Sequence, residues 1–378
     1  MSTLAEDRRS AIEQSGWGED FRLFQPHNLA FWAYCALVVA GAYVLSGQIS
    51  IAGAAYSGAF ISGIIAFGLL AVAYLWFIHY EDRYTTVPRD LAASGFVWGF
   101  VAATGAFALN ANDAVLSLYA KAFGASFAFD WGPALAAPID EEFAKGAGVL
   151  LLLTLAPKLI RSPFDGLILG AFVGLGFQIS EDISYAWIGA ANAFGDVEVA
   201  WSTIVARTLS SIPSHWMYTA IFGAGLVWFV GRPNVAARRG LGAGLMLTAL
   251  LMHGLWDGSA AIAGNSIFGW IVPLTVASVL ISVFVWIYNN TEPTEREWMH
   301  ELMAPEVELG VVTPAELEAL AGTRSTLRRY VSSQPNPRTA RNVLEAETDL
   351  AHQIARDGGA ETAAVRQARA AVSQARGA

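Results

Sequence analysis

Eight apolar runs, each about 19–26 residues long, fill most of the chain between Leu29 and Tyr288. Each is long enough to cross ~30 Å of hydrocarbon at about 1.5 Å per residue. They lie near Leu29–Gly47, Gly58–Ile78, Leu91–Leu109, Trp131–Ala156, Gly166–Ala191, Arg207–Val230, Leu241–Ala263 and Ile267–Tyr288. In lipid, a spanning segment must satisfy its own backbone, so runs of this length form helices. The expected fold is all-α: a polytopic membrane bundle of about eight transmembrane helices with a helical C-terminal tail.

Composition agrees. Only 15% of the 378 residues are charged, against about 25% in soluble domains. The net charge of −9 comes without a basic patch, so no nucleic-acid partner is expected. The single cysteine, Cys35, excludes an intramolecular disulfide and a cysteine-built metal site. The charged start before Leu29 reads as the flank of a signal anchor rather than a cleaved leader.

Alternate loops carry the basic residues: Arg83 and Arg89, then Lys158 and Arg161, then Arg232, Arg238 and Arg239. The opposite loops hold little beyond Lys121. With Arg8, Arg9 and Arg22 ahead of the first run, the positive-inside rule puts both termini in the cytoplasm. The chain divides into an N-terminal segment (1–28), a membrane core (29–289) and a polar tail (290–378). Asn112–Phe123 and Phe194–Ile204 mix apolar and polar residues, as ordinary loops or as segments lying along the interface. In the tail, Thr313-Pro314 with Glu316 marks a helix start, and further helical stretches cover Arg338–Arg356 and Thr362–Arg376.

Four of the runs contain ionisable groups well inside them. The fourth has Asp140, Glu141, Glu142 and Lys145; the fifth has Glu181 and Asp182; the sixth has His215; the seventh has His253 and Asp257. A charged group at mid-span costs about 2.5–3.5 kcal/mol on insertion scales, so a group of them needs partners or water inside the bundle. Counted from the span ends, these positions share one layer, roughly 12–15 Å below the outer surface. Glu141 and Lys145 are i,i+4, Glu142 and Lys145 are i,i+3, and His253 and Asp257 are i,i+4, so each pair shares a helix face. Pro138 and Pro213 stand just before the site positions and free backbone carbonyls there. Gly166, Gly170 and Gly174 form a close-packing stripe on the cytoplasmic side of the layer.

Crowded carboxylates in a low dielectric either protonate or recruit a cation. Two imidazoles and one carboxylate make a common catalytic zinc set. The expected ligands are His215, His253 and Glu181, with a divalent metal, zinc, between them. Glu141 or Glu142 is then the base that activates water, Lys145 holds Glu142 or tunes its pKa, and His253 and Asp257 position the metal or stabilise the oxyanion. A metal-free site with a carboxylate-activated water uses the same residues.

The ordered set Glu141-Glu142-Phe143-Ala144-Lys145, Phe177 to Glu181, Ser214-His215 and His253 to Asp257 resembles the PrsW family of intramembrane proteases, distant relatives of the CAAX-processing and bacteriocin-immunity membrane proteases. The resemblance covers the third to the seventh run. It implies a peptidase acting on membrane-protein substrates in a bacterial plasma membrane, a single-span anti-sigma factor cut at its first site being the best-known case. It implies catalytic roles for Glu141 and Glu142, and polar site roles for Glu181, His215, His253 and Asp257. Asp182 departs from the family's usual Asn, leaving open whether Glu181 or Asp182 faces the site. Two other readings use the same residues: a proton- or cation-coupled transporter, and a non-enzymatic binding protein with the tail as its partner surface. The single polar layer and the lack of an inverted repeat argue against transport.

Overall fold

The computed structural model describes residues 3–84, 87–233, 235–264 and 267–377. It is helical nearly throughout, with one isolated bridge between Arg232 and Val235. Helix α1 (Leu4–Ser15) precedes α2 (Leu29–Ala55) and α3 (Ser57–Glu81). Helix α4 (Arg89–Val97) passes through a π-helical stretch, Trp98–Ala108, into α5 (Leu109–Phe123). Then come α6 (Ala125–Leu155), α7 (Pro163–Asn192), α8 (Val197–Leu209), α9 (His215–Val230), α10 (Arg239–Asp257) and the short α11 (Ser259–Ala263). Helix α12 (Ile271–Glu308) leads to the tail helices α13 (Pro314–Leu320), α14 (Arg324–Ser333), α15 (Pro337–Arg356) and α16 (Ala363–Gly377).

Helices cover most of each of the eight expected runs. By length and composition alone, five stretches among the described residues qualify as spans: α2, α3, the α4–α5 rod, α7 and α12. Helix α6 is long enough at 31 residues but carries the acid cluster, and α9 is apolar but has only 16 residues. The protein is an integral, multi-pass membrane protein with an all-α bundle.

Helix α7 is the axis of that bundle. Its start is fixed locally: Ser162 caps Asp165, Asp165 returns the bond, and Pro163 occupies the first turn. Its hydrophobic window is entirely buried, packed against α3, the π-helical stretch and α9. The glycine stripe explains the α9 contact. A β-carbon on Gly166, Gly170 or Gly174 would fall 2.6, 2.3 and 2.3 Å from the carbonyl oxygens of Gly223, Thr219 and His215. Only glycine lets these two backbones approach so closely.

Two expectations need correction. The sixth run is not one continuous helix from Arg207: α8 ends at Leu209, the chain turns through Ser210–Ser214, and His215 is the first residue of α9. The cause is Pro213, which has no N–H to continue α8, with the Tyr218 hydroxyl donating to the Pro213 carbonyl across the break at 3.2 Å. By contrast Pro133 and Pro138 are absorbed inside an unbroken α6. Second, Asn112–Phe123 is neither a loop nor a detached interface segment but the continuation of the third helix. Helix α12 itself continues past residue 289 to Glu308.

The tail is a folded unit, not a string of separate helices. Trp298, Leu302 and Met303 of α12 pack with Leu350 and Ile354 of α15, with Val365 of α16 and with Ala11 of α1. Buried Glu306 receives Arg8 at 2.8 Å and Arg369 at 2.6 Å, tying the first helix to the last. The basic loops meet the same end: Arg161 donates to the Glu13 carbonyl, Lys158 pairs with Glu19, and Arg83 donates to the Gly322 carbonyl.

Candidate active site

Helices α6, α7, α9 and α10 bring the ionisable residues into one buried cluster. Glu141, Glu142 and Lys145 lie on the inward face of α6, each at most 2% exposed. Lys145 Nζ is 2.6 Å from Glu142 Oε1 and 3.7 Å from Glu141 Oε2. It also sits 4.1 Å above the Phe177 ring. His253 Nδ1 is 3.0 Å from Glu142 Oε1, and the Thr219 hydroxyl donates to Glu142 Oε2 at 3.2 Å. Both Glu142 oxygens are therefore engaged.

Glu141 differs. Asn112 donates to its Oε1 at 3.0 Å, but Oε2 accepts no hydrogen bond among the described residues although it is buried. Facing that oxygen are His215 Nδ1 at 3.7 Å and His253 Nε2 at 3.8 Å. Glu141, His215 and His253 each offer one ligand atom, all within 4.8 Å of one another, and form the metal-competent group among the described residues. Tetrahedral ligands at about 2.0–2.2 Å from a zinc ion stand some 3.3–3.5 Å apart, so the set would have to close in from its 3.7 and 3.8 Å separations about Glu141 to hold one.

The remaining imidazole nitrogens are each held from behind by a carboxylate. His215 Nε2 is 2.8 Å from Glu181 Oε2, while His253 Nδ1 meets Glu142. Such carboxylate–imidazole bonds orient ligating histidines and raise their basicity. Glu181, expected beside the two histidines as a ligand, thus stands behind His215, and Glu141 occupies the place facing both rings. The groups meet even though His215 begins its helix: the turn at Pro213 starts α9 beside the polar residues of α6, α7 and α10.

Asp257 lies 3.3 Å from His253 Nε2 and borders a cavity of about 410 Å³. Glu141, Glu181, His215 and His253 line the same cavity, together with Asn112 and Arg207. Asp182 does not; it pairs with Arg207, so Glu181 is the member of the pair that faces the site. Glu142 and Lys145 are absent from the lining, packed beneath it. Asp140, one residue before the pair, is not among the cavity-lining residues.

Sequence reasoning missed four neighbours. Arg207 reaches from α8 to Glu181 at 2.5 Å and to Asp182, with its guanidinium 4.6 Å above Tyr185. Tyr218 stacks on His253 at 4.9 Å with an 8° interplanar angle. Asn112 and Thr219 hold the two glutamates. Tyr218 and Thr219 follow His215 by three and four residues, a same-face spacing that was available in the sequence. Arg207 and Asn112 come from segments whose conformation local pattern did not reveal.

The family model for "PrsW family intramembrane metalloprotease" matches residues 87–288, from the start of α4 to mid-α12, and contains every residue of this cluster. The chain belongs to the PrsW family. Protease PrsW of Geobacillus kaustophilus (strain HTA426) is 26% identical over 193 residues, covering 49% of this chain and 74% of that protein. No solved structure matches. PrsW membership makes the chain a membrane-embedded peptide hydrolase, and the transporter reading is not favoured. The PrsW match leaves α1, α2 and α3, and everything after residue 288, outside it.

Proposed function

We propose that this PrsW protein hydrolyses peptide bonds of membrane-protein substrates in the 410 Å³ cavity, using Glu141, His215, His253 and Asp257 as the groups that meet substrate and water. The observation that carries the reading is the buried Glu141 oxygen, which lacks a hydrogen bond among the described residues and is faced by two imidazole nitrogens. Glu141, His215 and His253 would hold a divalent metal, zinc by its preference for this donor set. When bound, such an ion lowers the pKa of water and polarises the scissile carbonyl.

The protein's own groups do the rest. Asp257 Oδ2, at the cavity wall, accepts the proton of the attacking water and returns it to the departing amine. Glu142 and Lys145 act as positioning residues: the ammonium compensates the buried carboxylates, and Glu142 fixes the His253 ring. Tyr218, flat against His253, restricts its rotation. Glu181 does the same for His215 and is itself pinned by Arg207.

A second reading is metal-free, with Glu141 Oε2 taking the proton from water. It is favoured by one contact: Lys145 Nζ is 3.0 Å from His215 Nδ1, the nitrogen a metal would use. Metal content separates the two.

The basic loops, α1 and the tail, gathered at one end, support a cytoplasmic placement of both termini in a bacterial plasma membrane. The cavity then opens toward the extracytoplasmic half, which suits cleavage of a single-span protein such as an anti-sigma factor at its outer juxtamembrane segment. The test is a cleavage assay in proteoliposomes on single-span candidates, with wild type, Glu141→Gln and Glu142→Gln. Cleavage by wild type with both variants inactive is the expected result. Equal product from all three rejects the assignment.

A further inference from the structure

A second pocket, of about 380 Å³, lies far from the protease cluster, where the last turn of α3 meets α14 of the tail. Trp76, His79 and Tyr80 supply one wall, and Arg83, Arg324 and Arg328 the other. Helix α3 is 25 residues long, about 37 Å, so its final turn emerges at the membrane–water boundary. Trp and Tyr at that level are the usual interfacial anchors. Trp76 and Tyr80 stack at 5.6 Å and remain 65% and 37% exposed.

The arginines are organised around this aromatic pair. The Arg324 guanidinium lies 3.7 Å over the Tyr80 ring and pairs with Glu81 at 3.2 Å. Arg328 donates to the Tyr80 hydroxyl at 3.2 Å, and its side chain is otherwise in solvent. Arg83 is spent on the Ala319, Leu320 and Gly322 carbonyls, which locks α13 and α14 against the end of α3. The lining includes one acid, Asp82, against three arginines. The segment Arg324–Gln334 has three arginines and no acid, in a chain whose net charge is −9. Along α3, toward the bilayer, Leu69 and Val72 continue the face of Trp76 as an exposed apolar strip, 70% and 65% exposed.

We propose that this pocket binds the phosphodiester headgroup of an anionic phospholipid, its acyl chains lying along Leu69, Val72 and Trp76. A phosphate accepts hydrogen bonds from Arg328, with the Arg324 charge beside it, while the aromatic pair sits at glycerol depth. Free phosphate shares the headgroup chemistry, but the apolar strip leading out of the pocket fits only a lipid. Because one wall is core and the other is tail, the bound lipid clamps α14 onto α3. The site is independent of the proposed proteolytic chemistry.

The test uses the full chain, delipidated in detergent and titrated with phosphatidylglycerol or phosphatidylcholine, with retained lipid counted by native mass spectrometry. Wild type is expected to retain phosphatidylglycerol and not phosphatidylcholine, and excess inorganic phosphate is expected not to displace it. Arg328→Gln should weaken retention about fivefold, the contribution of one arginine at an anionic surface. Arg329→Gln, the same charge loss on α14 outside the pocket, should leave it unchanged, and Trp76→Leu should weaken it independently of charge. Equal retention of both lipids, equal weakening by Arg328→Gln and Arg329→Gln, or full displacement by phosphate would overturn the proposal. Matching thermal melts for the variants would exclude misfolding as the cause.

Discussion

Gly174→Ala tests how the α7–α9 contact sets the active site. The added β-carbon would stand 2.3 Å from the His215 carbonyl oxygen and 2.7 Å from Trp216 Cα, both rigid backbone. Ordinary contact starts near 3.4 Å, so α9 must retreat by about 1 Å at the residue that carries the imidazole. His215 then loses its 2.8 Å bond to Glu181 and its alignment with Glu141. A displacement of that size in a catalytic constellation lowers turnover by roughly 100-fold. Overpacking itself costs about 1–3 kcal/mol. Gly166→Ala meets the Gly223 carbonyl at 2.6 Å, two turns from the site, and should cost similar stability but much less activity. Gly68→Ala, with nothing within 4 Å, is the neutral control. The assay is proteoliposome cleavage of a single-span substrate alongside thermal unfolding in detergent. If Gly174→Ala cleaves at the wild-type rate, or loses no more activity than Gly166→Ala, then α7–α9 proximity does not position His215 and the reasoning fails.

Other outcomes follow from the same contacts. Lys145→Met removes the only cation touching Glu142 among the described residues and should destabilise the fold by about 3–5 kcal/mol in chemical denaturation, with activity abolished. Arg207→Gln should leave the fold intact but reduce cleavage about 10–100-fold by releasing Glu181 from behind His215, measured as kcat at saturating substrate. In the tail, burial first, and then the nearby Glu316 carboxylate, push the Glu347 carboxyl up to about 9. Since the folded state keeps this proton and the unfolded chain releases it, the contribution is present below the ordinary carboxylate range and fades as pH rises toward about 9. Glu347→Gln should therefore flatten the pH dependence of tail protection in hydrogen exchange and stabilise α15–α16 on the alkaline side.

The bundle was legible because lipid leaves few choices: eight charge-poor runs mean helices, and polar residues stranded within four of them mean a shared interior. The i,i+4 and i,i+3 pairings of Glu141, Glu142 and Lys145 appear in the structure as read, as does the glycine stripe of α7. The division of labour within the cluster was not legible. Which carboxylate faces both imidazoles depends on side-chain direction across four helices, and spacing along each helix does not encode it. Arg207 was hidden by the apparent continuity of the sixth run, which broke at Pro213 and turned a span end into a clamp on Glu181. The tail's union with α1 rests on contacts such as Arg8 to Glu306, nearly the whole chain apart, which local pattern cannot anticipate.

Metal content of the purified, folded chain is the most direct measurement. One equivalent of zinc per wild-type chain, lost in Glu141→Gln and His253→Ala but retained in Arg207→Gln, is the outcome expected if Glu141, His215 and His253 are the ligands. An active wild-type enzyme without metal, or zinc that survives Glu141→Gln and His253→Ala, would contradict it.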